Sequence, residues 1–404
     1  MDSRKLSIIS LTSLAHFMND STALLYSFLI IYYTTDYHVS IVFLGAVSVA
    51  YTLISGLASP PIGDFADRRD LDAPLMAAGI LIEAAAVALF GFSFVLTSEI
   101  YELVALAAVA LGLGQAFYHP IGGAILSRSF GGGAGTLMGI NGSMGSLGRA
   151  IMPSLVAGLV FAYGLPGGIG LFSVVLFASA LVVLLGLRFY RKGQLSGDIR
   201  AKKEKMERRY YRFLIVFGAI IFIRSMFITG TTTFLGEFVY RLYLSKALAA
   251  AFLTVSFMGP VLGQPVFGMI TERRGGYFSF SLSSLLSVFS FALFLVFAKN
   301  FVLSLAFYTI MAFAVYNAFP VLLGYVSQVF PRRFLTVVNS YVWGVGNVAG
   351  GAAGNALMTL LLGRGFSILE GFYANMILAV VSTVMVFLLP KLGIQASVKG
   401  VSGK

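Results

Sequence analysis

The chain has 404 residues, is 58% hydrophobic and only 11% charged, and has a mean hydropathy of +0.90. Soluble domains carry about 25% charged residues, so this much apolar surface excludes a water-soluble globule. Cysteine is absent, which excludes disulfides and thiolate metal sites. The net charge of +12 would suggest nucleic acid in a soluble protein, but here it reads as the Lys/Arg bias of membrane topology.

A membrane span needs about 20 mostly apolar residues. Twelve segments qualify: 6–33, 41–62, 73–94, 101–127, 136–162, 166–188, 213–238, 247–270, 277–298, 301–328, 335–361 and 366–390. The first follows Met1-Asp2-Ser3-Arg4-Lys5. It is too long for a cleaved signal segment and lacks a small-residue cleavage site, so it reads as a spanning helix. The one long connection, 189–212, is strongly basic and falls at mid-chain. The expected organisation is therefore an N-terminal bundle over 1–188, a basic linker over 189–212 and a C-terminal bundle over 213–404. With the N-terminus inside, 22 of the 28 Lys and Arg residues fall on inner loops and tails and four on outer loops. That bias predicts that both termini face the cytoplasm.

An ionisable group at the bilayer centre costs roughly 2.5–3.5 kcal/mol or more, so it needs a cavity, a partner or a neutral form. In chain order the first such groups are His16 and Asp20, four residues apart and hence on one helix face, with Asn19 beside them. Asp20 reads as a proton carrier and His16 as its modulator; the alternative is a fixed Asp20–Arg pair that only holds helices. Glu83 in span 3 is expected to pair within the N-terminal half. In span 4, His119 precedes Pro120, whose ring frees a carbonyl one turn earlier. With Gln115 on the same face this makes a polar notch, and an imidazole there can share a proton.

Arg149 in span 5 and Arg224 in span 7 remain charged at any relevant pH. One in each half, they suggest a site for a carboxylate, phosphate or phosphonate; the alternative is neutralisation by protein acids, Asp20 for Arg224. Glu237 and Glu370 near the outer span ends belong to outer contacts or to solvent. Tyr26, Tyr316, Asn317, Asn347 and Trp343 are candidates to line a cavity. In span 11, Asn339 and Asn347 share a face with the run Gly346-x-x-x-Gly350-x-x-x-Gly354, which reads first as a helix-packing strip.

The two halves repeat. Gly63-Asp64-Phe65-Ala66-Asp67-Arg68-Arg69 recurs in worn form at Gly268-Met269-Ile270-Thr271-Glu272-Arg273-Arg274, 205 residues later. Gln115-Ala116-Phe117-Tyr118-His119-Pro120 matches Val315-Tyr316-Asn317-Ala318-Phe319-Pro320, and Asn141-Gly142 matches Asn339-Ser340. This register aligns Arg149 with Asn347 and Asn19 with Arg224. Parallel halves pair about an axis along the membrane normal, with the site near the midplane between them. In the repeated turn the glycine permits close packing, the acids can pair with arginine or a helix N-terminus, and the basic residues can meet acids or lipid phosphates. Gly63, Asp64, Asp67, Arg68, Arg69, Glu272, Arg273 and Arg274 are thus expected to form a cytoplasmic gate.

The twelve spans, central basic loop and GDFADRR turn resemble the major facilitator superfamily over essentially the whole chain. Ala15-His16-Phe17-Met18-Asn19-Asp20 and Ala116-Phe117-Tyr118-His119-Pro120-Ile121-Gly122 look like its fosmidomycin-resistance branch of proton-driven exporters, although the Gly-Pro pair usual late in span 5 is here Met152-Pro153. The resemblance implies an all-α membrane fold of two pseudo-symmetric six-helix bundles. It also places spans 1, 4, 7 and 10 around a central cavity. The expected protein is a monomer in the cell membrane that uses protons to export a small anionic or amphiphilic compound. It would need no cofactor or metal, bind membrane lipids but no nucleic acid, and catalyse no reaction. Proton-coupled uptake of an organic anion is the second reading, and a lipid flippase the third. No Gly-Lys-Ser/Thr phosphate loop is present for ATP drive.

Overall fold

The first span is not one helix. In the computed structural model, which describes residues 3–130, 134–190, 206–317, 319–331 and 334–390, α1 (Ser3–Ser21) stops short of α2 (Leu25–Thr35). The cause is local. Ser21 Oγ donates to the Met18 carbonyl at 2.6 Å and Thr22 Oγ1 to the Asn19 carbonyl at 2.8 Å. Hydroxyls that bond nearby carbonyls compete with the helical ladder. The backbone tightens accordingly, with the Ala23 N–H bonded to the Asp20 carbonyl three residues back. Asp20 therefore sits in the last turn of α1, beside a break.

The following elements are α3 (Ile41–Arg68), α4 (Asp72–Ser93), α5 (Ile100–Phe130) and α6 (Ala134–Gly186). α6 is a helical hairpin. Gly164 has φ 73°, a left-handed conformation that only glycine adopts freely, and the chain reverses there so that Gly168 lies against the Val160 backbone. The C-terminal half comprises α7 (Arg208–Tyr243), α8 (Lys246–Arg274), α9 (Gly276–Val296), α10 (Phe301–Val315), α11 (Gly324–Val329), α12 (Leu335–Tyr341), α13 (Gly350–Gly363) and α14 (Ile368–Val386). Wide π-type turns at Phe319–Leu323 and Val342–Ala349 join α10 to α11 and α12 to α13. Ten helices among the described residues are long and apolar enough to cross a membrane. Dividing α6 at Gly164 and joining α1 to α2 accords with the twelve expected crossings. Most of the basic linker, 191–205, lies outside the described residues.

Close glycine contacts fix the helix pairs. Gly148 of α6 faces the Phe17 carbonyl of α1, and Gly350 faces the Phe222 carbonyl of α7. Gly145 faces His16, and Gly346 faces Ile221. Phe17 and Phe222 are 205 residues apart, as the repeat requires. The glycines facing them are 202 apart rather than the 198 of the sequence register, so the packing register of span 11 differs from the one its Asn-Gly match suggested. Packing therefore places Gly351, not Asn347, opposite Arg149. The Gly346–Gly354 strip does pack tightly, as its small residues suggest. The repeated turns are equivalent too, with Gly63 against Pro120 and Gly268 against Pro320.

Candidate functional site

The break after Ser21, the Pro120 helix and the Gly145/Gly148 contact bring three helices together around Asp20. The Asp20 side chain is 7% exposed. Arg149 Nη2 donates to Oδ2 at 2.8 Å, and Asn19 Nδ2 donates to Oδ1 at 3.0 Å. His16 Nε2 stands 3.6 Å from Oδ2, and His119 Nε2 stands 3.9 Å from Oδ1. Charge-assisted bonds of this kind hold a buried carboxylate where a lone one would be expelled.

The far side of His16 sets its protonation pattern. Nδ1 lies 2.8 Å from Asn141 Oδ1, which also accepts from the Tyr118 hydroxyl at 2.7 Å. An amide oxygen accepts only, so Nδ1 carries the ring proton and a neutral His16 presents a bare Nε2 to Asp20. Two acceptors then face each other across 3.6 Å, and one added proton satisfies both. Tyr118 stacks on His16 with ring centres 4.4 Å apart and fixes the ring plane.

A cavity of about 290 Å³ opens beside this cluster, lined among others by His16, Asp20, Tyr26, Tyr51, His119, Arg149, Tyr316, Trp343 and Asn347. That volume suits a small organic ligand. Arg149 projects its guanidinium into it, with the Tyr316 ring 5.4 Å from Cζ. Apart from the bond to Asp20, its N–H fork meets no hydrogen-bond acceptor among the described residues. Tyr316 is further tied by its hydroxyl to Thr232.

Not every expected contact reaches this wall. Asn19 is turned to Asp20, and Gln115 Nε2 donates to Thr22 Oγ1 at 3.0 Å, bracing the α1–α2 break. Tyr26 lines the cavity, with its hydroxyl spent on the Leu44 carbonyl at 2.5 Å. Arg224 and Asn317 line a separate, smaller space, which Asn347 shares. Arg224 is not neutralised by Asp20. Glu83 has no partner for either carboxyl oxygen and is wedged against Gly114, against the pairing expected for it.

The gate motif also differs from expectation. Arg68 bonds Asp64 within its own turn at 3.0 and 3.1 Å rather than reaching the second copy. Glu272, Arg273 and Arg274 are exposed and form no ion pair with a described residue. Arg69 lies with its guanidinium over Phe65, and the Asp67 side chain lies outside the described residues. At the opposite ends of the helices the halves are joined. Lys246 Nζ meets both Asp36 oxygens at 2.6 Å, and Thr34 Oγ1 donates to Glu237 Oε2 at 2.9 Å. Arg241 completes this group through Glu237 at 2.7 Å. Glu370 instead caps its own helix with Ser367.

Sequence reasoning did not assign Tyr118 and Asn141 a place at the site, although both stood in the repeat motifs. It also missed Ser283 and Ser284, which hold Arg224. Their signal was available: serines at 279, 283, 287 and 290 mark one face of an otherwise apolar span. The three residues singled out for proton coupling, His16, Asp20 and His119, lie together, with their nitrogen and oxygen atoms within 4.8 Å of one another. The Arg149 cation on Asp20 opposes a divalent metal there.

A cavity at the seam of two repeated helical bundles, walled by a buried ion pair, defines a multi-pass membrane transporter. The sequence profile of the Major Facilitator Superfamily matches residues 9–245, and the chain belongs to that family. Its members are transporters rather than enzymes. The chain is 22% identical over 362 residues to the fosmidomycin resistance protein of Escherichia coli (strain K12), covering 86% of this chain and 85% of that protein. It also superposes on a bacterial homolog of the human lysosomal transporter Spinster, in an inward-facing and unoccupied conformation. That match has a TM-score of 0.74 and 13% identity over 96% of this chain and 97% of the other. A structure described for substrate recognition in proton-dependent oligopeptide transporters matches at TM-score 0.69 and 13% identity, over 95% and 98% of the two chains.

Proposed function

We propose that the protein is a proton-coupled secondary transporter of the cell membrane, with both termini cytoplasmic. It works by alternating access and exports, in exchange for protons, a small amphiphilic compound or an anionic one that also carries a hydroxyl, amide or cationic group. The observation that carries this reading is the Asp20–Arg149 pair at the cavity wall, 2.8 Å apart, with the bare His16 Nε2 facing the same carboxylate. A proton entering there weakens the hold of Asp20 on Arg149 and frees a guanidinium for ligand. Asp20 is the proton carrier, with His16 and His119 sharing the charge. Arg149, Tyr26, Tyr316 and Asn347 contact the ligand. The relative named for fosmidomycin resistance supports export.

Exchange requires ligand and proton to exclude one another. A ligand that places a hydroxyl, amide or cationic group on Asp20 and the histidines does this. A strictly anionic ligand does the reverse: it takes Arg149, leaves Asp20 without its counter-ion and draws a proton in. The same ion pair therefore favours, for such ligands, the second reading of proton-coupled uptake.

The distinguishing experiment uses purified protein in liposomes with a pH-sensitive dye inside. Ligand added outside should alkalinise the lumen under exchange and acidify it under co-transport. Transport of a compound with no lumenal pH change in either direction removes the coupling claim.

A further inference from the structure

Arg224 is the second buried arginine and needs its own explanation. It is 5% exposed in the middle of α7. Nη1 donates to Ser284 Oγ at 2.9 Å, and Nη2 donates to Ser283 Oγ at 2.6 Å and, weakly, to the Ala314 carbonyl at 3.5 Å. The Phe280 ring lies 5.2 Å from Cζ. Each of these partners is neutral. Among the described residues no carboxylate lies within ion-pair distance of Arg224, and Nε makes no hydrogen bond. Ser283 passes its own proton on to the Ala314 carbonyl at 2.6 Å, so the serines act here as acceptors and bring no negative charge.

A guanidinium cannot escape this cost by losing its proton. Beside it lies a cavity of about 20 Å³, lined by Arg224, Ser225, Asn317 and Asn347 together with apolar residues such as Ile221 and Leu322. About 10–15 Å³ suffices for one water-sized sphere, so the space takes a single small particle and is too tight for a carboxylate or phosphonate group. The walls still offer donors. Asn317 Nδ2 spends one proton on the Ala314 carbonyl and keeps another. Asn347 accepts from Ser225 through Oδ1, which leaves its amide protons available. One fixed cation, two amide donors and apolar sides describe a receptor for a small, weakly hydrated anion.

We infer that this cavity binds a monatomic anion, chloride in the cell, as the counter-ion of Arg224. A water molecule would fill the volume and leave the charge uncompensated. Ile228, Val315 and Asn347 line both this space and the transport cavity. The anion therefore steadies the wall shared by the two, and Arg224 serves this site rather than the transported ligand.

The test needs no transport substrate, so its outcome is separate from the transport reading. Wild-type protein is exchanged into sodium gluconate, and thermal stability is followed as chloride replaces gluconate at constant sodium. The melting temperature should rise saturably with chloride and with bromide, as a ligand selective for the folded state requires, and should not respond to sulfate. Asn317→Leu keeps Arg224 but fills the cavity, and should abolish the response; Arg224→Gln should do the same. If Arg224→Gln does not fold, crystals of the wild type grown in bromide decide the matter, since anomalous scattering should place one bromide beside the Arg224 guanidinium. A wild type indifferent to chloride, a chloride response that survives Asn317→Leu, or bromide absent from that cavity each overturns the assignment in favour of a buried water.

Discussion

Asp20 is stable in the membrane because Arg149 pays for it. The two must therefore be judged as a pair. Removing Arg149 leaves a carboxylate buried with only Asn19 and two histidines for support. Breaking a buried pair typically costs 3–5 kcal/mol. Because the Arg149 side chain keeps 20% exposure to the cavity, the expected loss for Arg149→Gln is about 3 kcal/mol, read as a fall in melting temperature. Asp20→Asn should be milder, since the amide is neutral and can still bond Asn19. The double variant should be more stable than Arg149→Gln alone; strictly additive losses would mean that the pair is not coupled. In transport, Asp20→Asn should abolish gradient-driven accumulation yet retain ligand exchange at equal pH. Accumulation that survives unchanged would move the proton to another group. Much of this centre was legible in the sequence, because His16, Asp20, His119 and Arg149 are costly residues in apolar spans. Which arginine meets Asp20 was not legible. That choice depends on the register between α1 and α6, which Gly145 and Gly148 set by letting the helices approach, and a single chain's pattern does not encode an inter-helix register.

Those glycines make the helix pair the next unit of argument. A Cβ built on Gly148 would stand 2.1 Å from the Phe17 carbonyl oxygen, and one on Gly354 would stand 2.0 Å from the Met226 carbonyl oxygen. Both obstacles are backbone, which cannot rotate away. Gly148→Val should therefore push α6 from α1, draw Arg149 off Asp20 and lose proton coupling along with stability. Gly354→Val should destabilise by a similar amount, at least about 1–3 kcal/mol, but leave the Asp20 centre intact because it acts in the other half. Thermal denaturation together with lumenal pH change separates the two. Equal effects on coupling would show that the halves do not pack independently. The twelve segments that hydropathy marks accord with the helices described, yet they missed the interruptions in spans 1, 10 and 11. A window average responds to apolar content, whereas these breaks come from single hydroxyls bonded to nearby carbonyls, from Pro320 and from π-type turns. All three interruptions lie in spans that border the cavity, where side chains and ligand can satisfy backbone groups that lipid would not.

At the scale of the whole molecule the two bundles are closed at one end. Asp36–Lys246 and Thr34–Glu237 join them there, while the basic turns at the other end pair locally or stay exposed. With the basic turns on the cytoplasmic side, as proposed above, the end joined by these contacts is the outer one. The Lys246 and Asp36 side chains are 27% and 41% exposed, so the pair is worth about 0.2–1 kcal/mol. That is enough to bias a two-state equilibrium by about 1.4- to 5-fold and too little to lock it, as a cycling transporter needs. Lys246→Glu replaces attraction by repulsion and should shift the population toward opening at this end by at least that factor. Asp36→Lys combined with Lys246→Glu should restore the original balance. The natural absence of cysteine allows a clean measurement. A single cysteine at Thr232, which lines the cavity, is labelled by a membrane-impermeant thiol reagent applied outside intact cells. Its labelling rate should rise in Lys246→Glu and return in the swapped pair. A rate that falls instead would place this end on the cytoplasmic side and invert the topology that the 22-to-4 charge bias predicts. An unchanged rate would show that the pair is a rim contact with no part in gating.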